Sequence, residues 1–256
     1  MNQAGISVRS AMPSGNGAYI VHAELSETLP SYQLKGCNPY LASIPGLPSH
    51  RLRKWLAEAE VVHLSPNTGH IPLPHAQRRV LTFHSFDIDP ADIEQASAAQ
   101  RLYYCHVLRP ATIAACASAD RIVAVSRYVA DCIRHHELAG KKPLEVIYNG
   151  IDTARFRPAP QIDRERPLRV LFVGNPTRRK GFHALAKLAM QLPPGIEIAF
   201  TGGLRNRALS GPHAGLTSLG SIPYAEMHTV YQDADILLFP AYREGFGLCI
   251  AEAMAC

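Results

Sequence analysis

The sequence has no apolar run long enough to cross a membrane, since a span needs about 18 to 20 apolar residues in succession. Its opening residues lack the basic segment and apolar core of a secretory signal, so we expect no leader of that kind. Aromatic residues make up only 7% and charged residues 18%, against 47% hydrophobic residues. This composition excludes a disordered tail, a collagen-like rod and a coiled coil, and 256 residues suit about two globular domains.

Motifs for metal and disulfide chemistry are also missing. The sequence contains no HExxH segment and no CxxC pair. We therefore expect no metal site, no cofactor, and partly buried, reduced thiols in a cytosolic protein. These thiols belong to Cys37, Cys105, Cys116, Cys132, Cys249 and Cys256.

No charge of one sign is concentrated in any part of the chain. The net charge of +5 comes from 26 basic and 21 acidic residues, spread evenly along the sequence. Without a basic domain or arm, the sequence argues against a nucleic-acid partner. The mild positive balance fits anionic small substrates or a lipid surface, and does not decide between them.

Short apolar runs alternate with helical patterns along the whole chain. Strands are predicted at 6–9, 60–65, 79–84, 121–125, 145–148, 168–173, 196–201 and 236–239. Helices are predicted after the break at 15–17, over 95–118 with an interruption at Pro110, after Ser126 as N-cap, over 180–192 and 224–233, and from 247. The pattern predicts an α/β protein with parallel sheets, in two Rossmann-like domains facing a cleft. A Pro-rich, charged linker at 151–167 suggests domains at 1–157 and 158–256.

The segment after the last predicted strand carries the most chemistry. Gly245 and Gly247 lead from a loop into an apolar helix, at the strand end where open α/β sheets bind ligands. Glu244 lies in that loop and Glu252 lies about a turn into the helix, so they suit different parts of one long ligand, such as two sugar diols. The ordinary alternative is a capping loop with two solvated glutamates.

This segment resembles the Glu-x7-Glu element of the family 4, or group 1, retaining glycosyltransferases, which have the GT-B fold. Four more segments are similar to that family in the same order. They are the "VSxx" step at 123–126, the "NGID" signature at 146–152, the phosphate loop at 173–181, and the approach at 219–223 and 234–240. The resemblance is dense from about 120 to 256 and loose before that.

The resemblance implies transfer of a hexose-type sugar from a nucleotide-sugar donor, with retention and without a metal. It places the acceptor against domain 1–157 and the donor against domain 158–256. Fixed cations must then meet the charge on the leaving diphosphate. By this resemblance Gly174 and Lys180 belong to the phosphate loop. Asn175 stands where the family usually has arginine, which leaves open whether Arg178 or Arg179 supplies that charge.

The other roles implied by the resemblance concern the sugar and the nucleoside. Glu244 would hold the transferred sugar and Glu252 the donor ribose. Backbone N–H groups at Gly245, Phe246, Gly247 and Leu248 would hold the sugar or its phosphate. In the first domain, Gly15 and Gly17 form a turn near the donor phosphates and the acceptor, and His84 lies beside the reacting sugar. The alternatives are a flexible turn and a hydrogen-bonded histidine at a strand end.

Family members continue well past the second glutamate, so the resemblance predicts a second domain that is incomplete at its C-terminus, with low stability and little activity. A catalytically incomplete nucleotide-sugar-binding fragment is therefore one alternative, and a nucleotide-sugar epimerase is another. The acceptor stays open among glycans, lipid-linked acceptors and small molecules. The expected location is cytoplasmic, with peripheral contact at the inner membrane face left open.

Overall fold

A computed structural model describes residues 6–39, 41–44, 50–74, 77–89, 97–159, 166–202 and 215–256. The chain divides into two compact units, Met1–Asn149 and Gly150–Cys256. In both, parallel strands are joined by helices, as the alternating pattern predicts. Positions 95–96 of the helix predicted over 95–118 and 160–165 of the predicted linker lie outside the described residues.

The first unit contains a parallel sheet with helices between its strands. Its elements are β1 (Val8–Pro13), α1 (Gly17–Thr28), β2 (Tyr32–Cys37), α2 (His50–Ala57), β3 (Val61–Leu64), β4 (Arg78–Phe83), α3 (Ala98–Tyr103), α4 (Arg109–Ser118), β5 (Arg121–Ala124), α5 (Arg127–His135) and β6 (Leu144–Val146). Within the described residues the strand order is β2-β1-β3-β4-β5-β6. The order reverses between β1 and β3, which makes a topological switch point there.

The expected interruption at Pro110 is a widened turn within a helical segment. Residues Tyr104–Leu108 form one π-helical turn between α3 and α4, and Pro110 follows in the first turn of α4. Proline has no N–H, and its ring clashes with the carbonyl four residues earlier. A π turn moves that carbonyl away, so the helical path continues through the proline.

The fully buried position of α1 is a histidine. The sequence pattern places Ile20, Val21, Leu25 and Leu29 on one side of this helix, and in the structure His22 is its buried residue while Leu29, just beyond its end, is 45% exposed. His22 is tolerated inside because its ring is hydrogen-bonded there. The N-cap prediction for α5 is confirmed, since Ser126 accepts a hydrogen bond from the N–H of Val129.

The second unit repeats the same plan on a smaller scale. Its elements are β7 (Leu168–Phe172), α6 (Phe182–Ala189), β8 (Ile196–Phe200), β9 (Leu216–Ser218), a 3₁₀ turn (Tyr224–Glu226), α7 (Met227–Gln232), β10 (Ile236–Leu237) and α8 (Leu248–Ala255). The described strands are ordered β10-β7-β8-β9, all parallel. The chain fills one side of β7 and then returns to place β10 on the other, so the switch point lies between β7 and β10.

The second sheet is covered on both faces. Successive residues of β7 enter different cores, since Val170 and Phe172 pack with Leu185 of α6, whereas Leu171 packs with Tyr231 of α7. Such two-sided burial explains why the strand is almost continuously apolar. Phe156, at the start of this unit, is fully buried in the second cluster. No helix among the described residues is both long and apolar enough to cross a membrane.

Candidate functional site

Two loops meet at the carboxyl ends of β7 and β10, because these strands are neighbours. The ammonium group of Lys180, in the first loop, contacts the carboxylate of Glu244, in the second. Both side chains are largely buried, and the Lys180 ammonium also lies 5.3 Å from the centre of the Phe239 ring. The backbones are joined as well, since the N–H of Tyr242 donates to the carbonyl of Arg179 at 3.1 Å.

The phosphate-loop segment uses glycine at its two ends. Gly174 has a φ of +132°, and its N–H donates to the Thr201 hydroxyl at 3.1 Å. Gly181 has a φ of +76°, and a Cβ built on it would lie 2.3 Å from the carbonyl oxygen of Pro240. A side chain at 181 would therefore separate this loop from the one that carries Glu244.

The remaining polar residues of this loop are arranged differently from Lys180. Arg178 and Arg179 are exposed. The amide oxygen of Asn175 is buried and has no hydrogen-bond partner in the described part of the chain. The structure thus brings Lys180 to Glu244 and leaves both arginine side chains on the surface beside them.

The glycines after Glu244 begin α8. Gly245 and Gly247 are buried, and Gly247 is the N-cap of the helix with a φ of +81° and no side-chain capping bond. Phe246 and Leu248 flank this cap. The positive end of the helix dipole therefore lies next to the Lys180–Glu244 contact, a suitable environment for an anion.

Glu252 is held inside the second unit and is not a solvated carboxylate. It is 4% exposed, and its two oxygens accept hydrogen bonds from Tyr231 at 2.6 Å and from Tyr224 at 3.1 Å. Burial and the neighbouring carboxylate raise the pKa of Tyr231, so its hydroxyl stays a donor. The sequence does not indicate a role for the two tyrosines, because it shows only the 3.6-residue periodicity of their segment.

In the first unit, the glycine turn after β1 is an ordered helix cap. Gly15 has a φ of +76°, and the Asn16 side chain accepts a hydrogen bond from the N–H of Tyr19 at 2.8 Å. Gly17 is the first residue of α1. The predicted turn is therefore present, with Asn16 as its N-cap.

His84 directly follows the last residue of β4, at the strand end where the sequence predicts it. Its Nε2 lies 3.0 Å from Nε2 of His22, and its Nδ1 is buried with no hydrogen-bond partner among the described residues. Burial, with a smaller contribution from the charge of His63, lowers the pKa of His84 to about 3. The imidazole is therefore neutral at neutral pH.

His84 lies at one end of a group of hydrogen-bonded polar side chains. The other members come from β1, α1, β2, β3 and β4. Tyr32 bridges two histidines, with its hydroxyl 2.6 Å from Nδ1 of His22 and 2.8 Å from Nδ1 of His63. Nε2 of His63 lies 2.7 Å from the Thr82 hydroxyl. We call the set the histidine network: Ser10, His22, Tyr32, His63, Thr82 and His84. Apart from His84, the sequence shows no spacing that would single these residues out.

The described residues contain neither a cluster placed to bind a metal ion nor a disulfide bond. No group of three or more histidine, cysteine or acidic side chains in the described ranges is placed to hold a metal ion. The six cysteines are free thiols, with Cys116 buried and Cys105 exposed.

Two family models match the chain in succession. The model described as Glycosyltransferase Family 4 matches residues 1–155. The model described as Glycosyl transferases group 1 matches residues 154–256. Together they cover the chain, and the first alone covers more than half of it.

Among curated proteins, the chain is similar to enzymes named D-inositol 3-phosphate glycosyltransferase. It is 28% identical to the Segniliparus rotundus protein over an aligned length of 162 residues, and the match covers 55% of this chain and 36% of that protein. It is 25% identical to the Rhodococcus opacus protein over an aligned length of 229 residues, and the match covers 79% of this chain and 48% of that protein. The chain thus spans less than half the length of these relatives.

Solved structures show the same fold at low sequence identity. Sucrose-phosphate synthase from Thermosynechococcus elongatus matches with a TM-score of 0.68 and 17% identity, over 98% of this chain and 79% of that one. Anabaena HepE in complex with UDP-glucose matches with a TM-score of 0.71 and 17% identity, over the same shares. These likenesses show that the units are Rossmann-like domains of the GT-B class, with a short second unit.

Proposed function

Since the chain belongs to the family 4 glycosyltransferases, we propose that it moves a hexose-type sugar from a nucleotide-sugar donor to an acceptor, with retention at the anomeric carbon. The observation that carries the proposal is the contact of Lys180 with Glu244 at the switch point between β7 and β10. This is the strand end where open α/β sheets bind nucleotides. The UDP-glucose bound to Anabaena HepE supports a nucleotide sugar as the donor.

The phosphate loop would serve the leaving diphosphate. As the bond to the sugar breaks, negative charge grows on that diphosphate and must be met by fixed positive groups. Lys180 is the cation inside the site, and the exposed Arg178 and Arg179 stand beside it as further candidates. The loop that begins at Gly174 brings its backbone close to the phosphates.

The loop and helix after β10 would hold the sugar and the nucleoside. We assign Glu244 to hydroxyls of the transferred sugar, and the N–H groups from Gly245 to Leu248 to the sugar or its phosphate. Glu252 would accept from the ribose, with its carboxylate oriented by Tyr224 and Tyr231. In this view the tyrosines reduce the loss of side-chain freedom when the ribose binds.

The first unit would supply the acceptor side. We assign His84 to the reacting sugar and the turn at Gly15 and Gly17 to the donor phosphates and the acceptor. The acceptor class stays open among a glycan, a lipid-linked acceptor and a small molecule. We propose a cytoplasmic location for this activity, where nucleotide sugars are the expected donors.

A thermal-shift panel tests the donor site first, because a ligand that binds the folded state raises its melting temperature by an amount that grows with the logarithm of ligand concentration over Kd. The panel contains UDP-glucose, GDP-mannose and ADP-glucose, each beside its nucleoside diphosphate. The best donor is then incubated with simple acceptors, and the anomeric configuration of the product is read by proton NMR. An inverted product, or binding without turnover of any donor, would contradict the proposal of a retaining transferase. No shift with any nucleotide would contradict the donor site itself.

A further inference from the structure

We propose that His22 is a positioning residue for His84, fixing both its ring orientation and the nitrogen that carries its proton. The inference rests on the proposed function only for the identity of the group that His84 meets. Its structural basis lies wholly within the first unit, in the histidine network defined above.

The contact between the two rings fixes their geometry. His22 is completely buried in α1, and its Nε2 lies 3.0 Å from Nε2 of His84. The two ring centres are 5.1 Å apart, and the rings meet edge to face at 60°. Because His22 is enclosed, it cannot turn away, so the ring of His84 is held from one side by a partner that does not move.

The same contact couples the two tautomers. Both imidazoles are neutral, since burial lowers the pKa of each. Two neutral rings 3.0 Å apart form a hydrogen bond only when one nitrogen carries a proton and the other does not. If Nε2 of His22 is protonated, His84 must carry its own proton on Nδ1. If Nδ1 of His22 is protonated instead, His84 carries its proton on Nε2.

The surroundings of His22 favour the first arrangement. Two hydroxyls face its Nδ1, Tyr32 at 2.6 Å and Ser10 at 2.8 Å. The 2.6 Å separation from Tyr32 is shorter than an N–H donor normally gives and ordinary for an O–H donor, so the phenol donates and Nδ1 accepts with its one lone pair. Burial also raises the pKa of Tyr32, which keeps its hydroxyl proton in place. His22 is therefore protonated on Nε2 and donates to His84.

Protons along the rest of the network follow from this choice. The Thr82 hydroxyl donates to Nε2 of His63, Nδ1–H of His63 donates to Tyr32, and Tyr32 donates to His22. The last group in the series is Nδ1–H of His84. It is a buried donor with no acceptor among the described residues. Since leaving a buried donor unsatisfied is unfavourable, an acceptor such as a sugar hydroxyl oxygen is favoured there.

The test is a long-range proton–nitrogen NMR spectrum of the full chain labelled with ¹⁵N-histidine. A protonated and an unprotonated ring nitrogen have widely separated ¹⁵N shifts, and His84→Gln identifies the His84 signals by their loss. We expect His84 to be protonated on Nδ1 in the free chain. His22→Leu should give averaged shifts at His84, while His22→Gln, which restores an N–H donor near the Nε2 position, should keep the Nδ1–H form. Tyr32→Phe should shift the population towards Nε2–H.

Turnover supplies a second readout. With the best donor, His22→Leu should lower kcat by about 10- to 100-fold with little change in donor KM, and His22→Gln should recover most of the loss. His70→Leu, which removes another partly buried histidine of the same unit, is the matched control and should leave the His84 shifts unchanged. The inference would be overturned if His84 were protonated on Nε2 in the unaltered chain, or if His22→Leu left the ¹⁵N shifts of His84 unchanged. Because the NMR arm needs no substrate, it stands even where no donor is turned over.

Discussion

Lys180 and Glu244 stand 64 positions apart in the sequence and are in direct contact in the fold. In the free chain, the cation assigned to the diphosphate is therefore neutralised by the acid assigned to the sugar. A donor that enters must share or replace this ion pair. Donor binding is then an exchange of partners within the site, and the two residues should show opposite effects on nucleotide affinity.

Replacing Lys180 with alanine should weaken donor binding by about 1.5–3 kcal/mol, because a charge-assisted contact with the diphosphate is lost. Titration calorimetry with the preferred nucleotide sugar measures the change. Lys187→Ala is the control, since it removes an exposed lysine from α6 in the same unit. Equal affinities in the Lys180→Ala chain and the unaltered chain would remove this lysine from the donor site.

Glu244→Gln should have the opposite effect on the nucleotide alone. With the competing carboxylate gone, Lys180 is free for the diphosphate, and a nucleoside diphosphate without sugar should bind more tightly by about 1 kcal/mol. The complete nucleotide sugar should gain less or lose affinity, because a contact with its sugar is lost. Calorimetry with the two ligands side by side separates these effects. Weaker binding of the bare diphosphate would show that Glu244 supports the phosphates and does not compete for Lys180.

Glu252→Gln keeps the shape of the side chain and removes its charge, so binding of the nucleoside part should weaken whichever sugar is attached. Each hydrogen bond lost from a charged acceptor is worth about 1.5–3 kcal/mol. Competition assays with a series of sugars on one nucleotide give the comparison, and Glu226→Gln, an exposed carboxylate of the same unit, is the control. A change confined to sugar discrimination would reverse the assignment of the two glutamates.

The histidine network should make the first unit sensitive to acid. Burial lowers the pKa of His63 to about 4 and of His84 to about 3, while in the unfolded chain their pKa is the ordinary histidine value of 6.5. Below pH 6.5 the unfolded state therefore binds protons that the folded state does not, and stability falls until the folded pKa values are reached. At pH 5 the loss is about 2 kcal/mol for each of these histidines.

Urea unfolding monitored at pH 7 and pH 5 checks this dependence. In His63→Gln the difference between the two pH values should shrink by about 2 kcal/mol, because one titrating group has gone. His106→Gln, at an exposed position in the π-helical turn, should leave the difference unchanged. A pH dependence that is the same in all three chains would mean that the network titrates normally.

Gly181→Ala should destabilise the second unit through two causes. A side chain at a φ of +76° costs about 1–2 kcal/mol, and a Cβ 2.3 Å from the Pro240 carbonyl oxygen adds about 1–3 kcal/mol by overpacking. Gly195→Ala measures the backbone cost without the steric clash, because Gly195 has a φ of +89° and open space around its Cβ position. Unfolding midpoints of the two variants should therefore differ. Equal midpoints would mean that the loop moves aside without cost.

Much of the fold is visible in the sequence because buried parallel strands are short apolar runs. β3, β4, β5, β7 and β8 follow this pattern closely. β2 does not show this pattern, because it is an edge strand that contains Lys35 and Gly36 and its sequence is mostly polar. The strand predicted at 145–148 spans Leu144–Val146 in the structure, and Ile147 beyond it is 55% exposed.

The candidate site was predictable in its parts and not in its contacts. The sequence indicates Lys180 and Glu244 separately, each by its own loop, but the contact between them depends on β10 pairing with β7, which the order of strands along the chain does not reveal. The histidine network was invisible for the same reason, since Tyr32 and His63 come from strands that flank β1. The sequence predicts that Glu252 binds a ligand. It does not predict the burial of Glu252 against Tyr231, which depends on α7 packing on α8.

The hydrogen bond between Tyr242 and Arg179, together with the close approach of Gly181 to Pro240, joins two loops that the chain builds far apart. The two loops are therefore mechanically coupled. A change of length in either loop would be transmitted to the other, so neither can be exchanged independently when a different donor is to be accommodated. Under the proposed function, a change of donor choice would therefore require residues 174–181 and 239–247 to be grafted as a pair.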